Sequence, residues 1–237
     1  MRAEEVGQAL RKLATTAKAK VSAWFFKSGP GQYAEGDKFL GVTVPEQRKI
    51  AKQFGDLDLV EVKKLVVSPW HEERLTGLFI LVDQYKRADD AGKKTIASFY
   101  HKNRAYVNNW DLVDSSAPYI LGDYLTNHSR AVLVQLAKSK SIWDRRIAML
   151  STAGWISQGD FTDAFKIIDI LIDDKHDLIQ KAVGWMLREI GKNAGRAELE
   201  KFLDRHAATM PRTTLRYAVE HFEPQLKTHY MGLAKMK

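Results

Sequence analysis

Apolar residues recur at three- and four-residue steps along nearly the whole chain, and that period is the signature of helices. Val6, Leu10, Leu13, Ala17, Val21, Trp24 and Phe25 form one such series, which Gly29-Pro30-Gly31 stops. Thr43-Val-Pro-Glu46 is a capping-box pattern with Pro near the first turn, so it opens a helix running through Phe54. Ser68-Pro69 opens another towards Tyr85. Further stretches of the same period cover 90–100, 109–126, 130–138, 142–157, 161–173, 176–191, 195–206 and 211–222. No stretch alternates with the period of a strand. Pro118 lies inside 109–126 and predicts a kink or break there.

Stacking these helices reveals a weak repeat. Trp70-His-Glu-Glu-Arg74, Trp110-Asp-Leu-Val-Asp114 and Trp143-Asp-Arg-Arg146 each open what reads as a longer helix behind a shorter one. The steps are 40 and 33 residues, and 35 more reach Leu178-Ile-Gln-Lys181. Helix pairs at this spacing bury their apolar faces against neighbouring pairs. The expectation is an all-α, HEAT- or armadillo-like helical-repeat solenoid. It forms one domain over residues 1–237 and offers a long concave face.

Lys and Arg outnumber Asp and Glu 37 to 29, a net charge of +8, which suits a polyanionic partner such as DNA. The absence of Cys excludes disulfides, thiolate nucleophiles, iron–sulfur clusters and cysteine-based zinc sites. The seven His make no close i,i+4 pair, and no Walker loop, GxGxxG, HExxH or GxSxG pattern occurs. Neither a metal nor a cofactor is expected. The first residues, MRAEEVGQALRKL, are amphipathic and contain acids, unlike a signal peptide. The apolar runs are too short to span a membrane. A cytoplasmic monomer is expected.

Two segments carry the chemistry: Asn108-Asn-Trp-Asp-Leu-Val-Asp-Ser-Ser116 and Gln180-Lys-Ala-Val-Gly-Trp-Met-Leu-Arg-Glu189. Trp110 and Asp114 share one helical face, as do Lys181, Trp185 and Arg188. An indole beside a carboxylate can hold a cation against DNA. Plainer readings exist for each. Trp110 can be a half-buried anchor, and Asp114 can pair with Arg145 or Arg146. Asp111 suits the helix dipole, and Lys181 and Arg188 can form a solvated face. Trp24, Trp70 and Trp155 are assigned to packing.

These segments resemble the AlkD-type DNA alkylation repair glycosylases. So do Phe39-Leu-Gly-Val-Thr-Val-Pro-Glu-Gln-Arg-Lys49, Leu121-Gly-Asp123 and Ile142-Trp-Asp-Arg-Arg146, and the motifs fall in the same order over most of the chain. The resemblance implies a HEAT-like solenoid that binds duplex DNA on a basic concave face. It implies excision of cationic N3- and N7-alkylated purines, 3-methyladenine and 7-methylguanine. It places the catalytic carboxylate on Asp114, the two sugar-facing tryptophans on Trp110 and Trp185, and the active-site arginine on Arg146. The family's N-terminal tyrosine corresponds to Tyr33, one residue off the family's spacing to Phe-Leu-Gly.

An N-alkylated purine already carries the charge that makes it a good leaving group, so no general acid is required. What develops is an oxocarbenium ion, which a fixed carboxylate and indole faces stabilise. Thr43, Arg48, Arg145, Lys181 and Arg188 are the candidate phosphate contacts, and Arg212 and Arg216 could extend the track. Two other classes compete: a catalytically silent HEAT-like DNA-binding protein, and a protein–protein scaffold.

Overall fold

A computed structural model describes residues 1–193 and 195–233. The regular elements among the described residues are helices and short helical turns, with a single isolated bridge between Lys38 and Trp70 and no strand. The chain comprises two compact units, Met1–Ser116 and Ala117–Lys237.

The first unit contains α1 (Ala3–Lys12), α2 (Thr16–Phe25), α3 (Val44–Gln53), α4 (Leu59–Val66), α5 (His71–Arg87), α6 (Asp90–Asn103) and α7 (Trp110–Asp114). Helix α5 is its axis and packs on α1, α3, α4, α6 and α7. It is buried from His71 to Val82, so its four polar residues His71-Glu-Glu-Arg74 lie inside the unit. Burying charge is costly unless every group is paired. Glu72 accepts from the backbone N–H of Leu40 (2.9 Å) and Gly41 (2.7 Å). Glu73 accepts from Ser68 Oγ at 2.6 Å and pairs with Arg11 at 2.8 Å. Arg74 donates to the Ser68 carbonyl at 3.0 Å and pairs with Asp37 at 2.6 Å. One helical turn thereby ties down α1 and the segment leading into α3.

The apolar series from Val6 to Phe25 is two helices, not one. Helix α1 ends at Lys12, and Thr15 donates its N–H to the Leu40 carbonyl (3.1 Å) before α2 begins. Gly41 permits this approach. It has φ +79°, and a Cβ there would stand 2.4 Å from both Ala19 N and Thr15 O. Helix α2 buries no residue, and Trp24 is 80% exposed, which overturns its assignment to packing. Its period matched a core helix, but among the described residues the face that carries Val21 and Trp24 lies exposed. Thr43 and Glu46 form the expected capping box on α3.

The second unit runs through a π-helical turn, Pro118–Gly122, and a 3₁₀ turn, Leu125–Asn127. Then follow α8 (Ala131–Ala137), α9 (Ile142–Ser151), α10 (Ala153–Ile156), α11 (Thr162–Leu171), α12 (Asp177–Asn193), α13 (Arg196–His206), α14 (Arg212–Ala218) and α15 (Pro224–Leu233). Here α12 is the axis, packing on α9, α10, α11, α13 and α14. A Cβ on Gly184 would fall 2.5 Å from Thr214 O and from Tyr217 Cβ, so only glycine allows the α12–α14 distance. Trp155 is buried and donates Nε1–H to the Gly122 carbonyl at 2.8 Å, as a packing residue should.

The repeat is real at three of its four positions. Helices α5, α9 and α12 each follow a shorter helix, but α7 has only five residues and follows the 14-residue α6. Ser116 Oγ turns back to the Leu112 carbonyl (2.6 Å) and meets Tyr100 Oη (3.0 Å), and Pro118 opens the irregular turn beyond. The break predicted from Pro118 is where the sequence put it.

Candidate active site

Helix α7 is short, and both of its ends are defined by side chains. Asn109 caps the start, its Oδ1 accepting from Trp110 N–H at 2.8 Å. Asp111, Leu112 and Val113 are buried, while Trp110 and Asp114 are half-exposed. The helix thus turns its middle inward and presents an indole and a carboxylate from one accessible face, as the four-residue spacing predicted.

What lies beneath that face was not foreseen. Asp111 Oδ2 is 2.8 Å from His71 Nε2, and its Oδ1 accepts from Leu112 N–H at 2.8 Å. The other nitrogen of His71 is 3.5 Å from Asp37 Oδ2, and Asp37 is also held by Arg74. Burial alone would depress the imidazole. The charge and hydrogen bond of Asp111, with the hydrogen bond of Asp37, outweigh it against opposition from Arg74, and the His71 pKa rises from 6.5 to about 9. His71 is therefore an imidazolium at neutral pH and donates to both carboxylates. The Asp37 carboxyl is held below its usual value: burial opposes this, and His71 and Arg74 together overcome it.

Aromatic rings complete the support. Phe26 stacks on Trp110 (centroids 5.4 Å) and on Phe39 (5.5 Å), and meets the His71 ring at a tilt (4.6 Å). Phe25 meets Trp110 edge-on at 5.8 Å. Tyr33 lies in the turn segment beyond α2. Behind Asp114, burial pushes the Tyr100 phenol far above its ordinary pKa. Its hydrogen bond with Ser116 opposes the shift, and the Asp114 charge adds to it.

In the second unit, Trp185 sits mid-way along α12, half-buried, with Nε1–H directed to Glu189 Oε1 at 3.2 Å. Arg146 is buried on α9 and donates to the Leu178 carbonyl in the first turn of α12. It thereby ties α9 to the helix that carries Trp185. Lys181 pairs with Asp177 at 2.9 Å. Arg145 pairs with Asp174 at 2.7 Å and donates to the carbonyls of Ser139 and Lys140, both at 2.9 Å. Arg188 pairs with Glu220 and lies 3.7 Å from Glu189. In the first unit, Arg48 lies over the Phe79 ring at 4.0 Å, and Thr43 is engaged by Glu46 at 2.6 Å. Among the described residues no group of three or more His, Asp or Glu could hold a metal ion, and no helix is long and apolar enough to cross a membrane.

Comparison with known proteins bears on the family and the fold. The family model for DNA alkylation repair enzymes matches residues 6–222. A solved structure, a predicted DNA alkylation repair enzyme from Enterococcus faecalis, is similar over 89% of this chain and 97% of its own, with a TM-score of 0.68 and 15% sequence identity. At that identity the likeness is one of fold. No curated protein matches significantly.

Proposed function

The chain belongs to the DNA alkylation repair enzyme family, and we propose that it is a monofunctional DNA glycosylase. In this reading it excises cationic N3- and N7-alkylated purines, 3-methyladenine and 7-methylguanine, from duplex DNA in base excision repair. The observation that carries the reading is the pairing of Trp110 with Asp114 on the accessible face of a helix whose inner side is fixed by Asp111 and His71. The fixed inner side sets the backbone from which Asp114 projects, and a charge carried on a fixed frame is what preorganised electrostatic stabilisation requires.

In the proposed reaction the C1′–N bond breaks and its electron pair leaves with the cationic purine, which departs as a neutral base. The deoxyribose is left as an oxocarbenium ion. Asp114 opposes that charge and orients a water whose oxygen adds to C1′. The proton lost from the water passes to Asp114 or to solvent, leaving an abasic sugar. The face of Trp110 attracts the cation, contributing about 0.5–2 kcal/mol, and the resemblance gives Trp185 a like role. Arg146 positions the start of α12 through the Leu178 carbonyl. Thr43, Arg48, Arg145, Lys181 and Arg188 serve as phosphate contacts. Where these residues hold exposed carboxylates, as Lys181 holds Asp177, the pairs are worth little and exchange readily for phosphate.

Methylated duplex DNA incubated with the purified protein in EDTA, followed by chromatography of the released bases, tests the proposal. Release of 3-methyladenine or 7-methylguanine is expected. No release, or loss of all activity in EDTA, would remove it.

A further inference from the structure

We infer that α2 is a DNA-contacting helix, in which the exposed Trp24 ring stacks on a nucleobase and Lys20 and Lys27 flank it on phosphates. The inference rests on the DNA repair reading above. It begins from an oddity of burial: Val21, Trp24 and Phe25 are 64%, 80% and 53% exposed on a helix that buries no residue. Lys20 and Val21 stand four and three residues before Trp24, which places them on its helical face, and Lys27 lies two residues beyond the end of α2, where the backbone turns left-handed (φ +54°). A large apolar ring left in water between two lysines does no packing work for the unit. Exposed apolar patches rimmed by polar groups mark interaction surfaces.

Charge selects the occupant. Residues 6–34 contain Arg11, Lys12, Lys18, Lys20 and Lys27 and no Asp or Glu. Acids that reach this stretch from outside it include Glu73 on Arg11, Glu46 near Lys18 and Glu35 on the Gly31 N–H. They leave the Lys20–Lys27 stretch to a polyanion. The face also continues into the candidate site, because Phe25, the next residue after Trp24, packs edge-on against Trp110. Aromatic side chains bind nucleic acid by stacking on base faces, and unstacking costs least at a damaged base. Trp24 is therefore placed to stack beside the lesion while Trp110 attends the sugar.

The test measures binding of the full chain to a short duplex carrying one stable abasic-site analogue across a salt series, and base release from methylated duplex. W24A is expected to weaken binding on the order of tenfold with an unchanged salt slope, since it removes stacking and no charge. W24F, which keeps a π-face, should recover most of the loss. The K20Q/K27Q double variant should flatten the slope of log affinity against log salt by about 2, close to 0.9 for each phosphate contact. Unchanged far-ultraviolet dichroism of W24A is expected, because the residue fills no core space. Binding of W24A within about twofold of wild type overturns the inference and leaves the glycosylase reading standing if the wild type still releases base. A wild type that neither binds duplex nor releases base overturns both. A wild-type dimer that W24A dissociates, or Trp24-dependent binding to anionic vesicles in preference to DNA, overturns the inference by giving the face to another partner.

Discussion

His71→Gln removes the charge that holds α7 in place, and its cost can be worked from the geometry. The imidazole is buried, 2.8 Å from Asp111 and 3.5 Å from Asp37, and its pKa stands at about 9 against 6.5 in an unfolded chain. Each pKa unit is worth about 1.4 kcal/mol, so the protonated form contributes about 3 kcal/mol to folding. Breaking a buried pair by removing one partner independently suggests roughly 3–5 kcal/mol. The folded pKa is the higher one, so the contribution is complete below pH 6.5 and is lost as the pH rises through about 9. Urea denaturation at about pH 6 and about pH 9.5 reads this directly. Wild type should lose about 3 kcal/mol between the two conditions, while His71→Gln starts lower by a similar amount and stays nearly flat. If His71→Gln keeps the wild-type pH dependence, or wild type shows none, the imidazolium is not what secures α7.

Asp114→Asn keeps the shape of the side chain and removes its charge. Single-turnover base release should fall by on the order of 10²–10³ while duplex affinity is kept, as read by rapid-quench kinetics and fluorescence anisotropy. Gly184→Ala forces a Cβ to within 2.5 Å of Thr214 O, so α12 and α14 must separate. Thermal or urea unfolding should show a loss of about 1–3 kcal/mol, and a neutral result would mean that the two helices part at no cost.

The all-α class was legible because apolar spacing is a local property, and so were the capping box at Thr43 and the break at Pro118. Trp24 shows where that logic stops. Its period is that of a core residue, yet a period says which residues share a face and not whether another element covers it. The helix of residues 59–66 and the last helix, from Pro224, went unread. Of the site, the Trp110–Asp114 face follows from a spacing of four and could be seen. Its foundation could not be seen. His71 and Asp111 are 40 residues apart, Asp37 and His71 are 34 apart, and no local rule connects them. One signal was available: a run of four polar residues, His71 to Arg74, directly ahead of the largely apolar run Leu75 to Val82. Four such groups entering a core together must bring partners with them. Phe25 and Phe26 were missed for a related reason, since their contact with Trp110 spans more than 80 residues.

Substrate choice exposes the proposed chemistry to its hardest test. The accessible face of α7 offers Trp110 and Asp114, and the imidazolium nearest to it, His71, donates inward to Asp111 and Asp37. A neutral base such as uracil or hypoxanthine needs a proton, or strong hydrogen-bond donation, as its bond to the sugar breaks. His71 cannot supply it, because both of its nitrogens are committed to carboxylates inside the unit. Asp114, as a carboxylate, stabilises the sugar cation and does nothing for the leaving base. Cationic N3- and N7-alkylpurines carry their charge already and need neither. A time course on matched duplexes should therefore show release of the cationic lesions and none of uracil or hypoxanthine. If Trp110 rests on the sugar and the base is not enclosed, bulky cationic adducts should also be released. Efficient release of a neutral base would place a proton donor in this site and refute a mechanism built on Asp114 and the indoles alone.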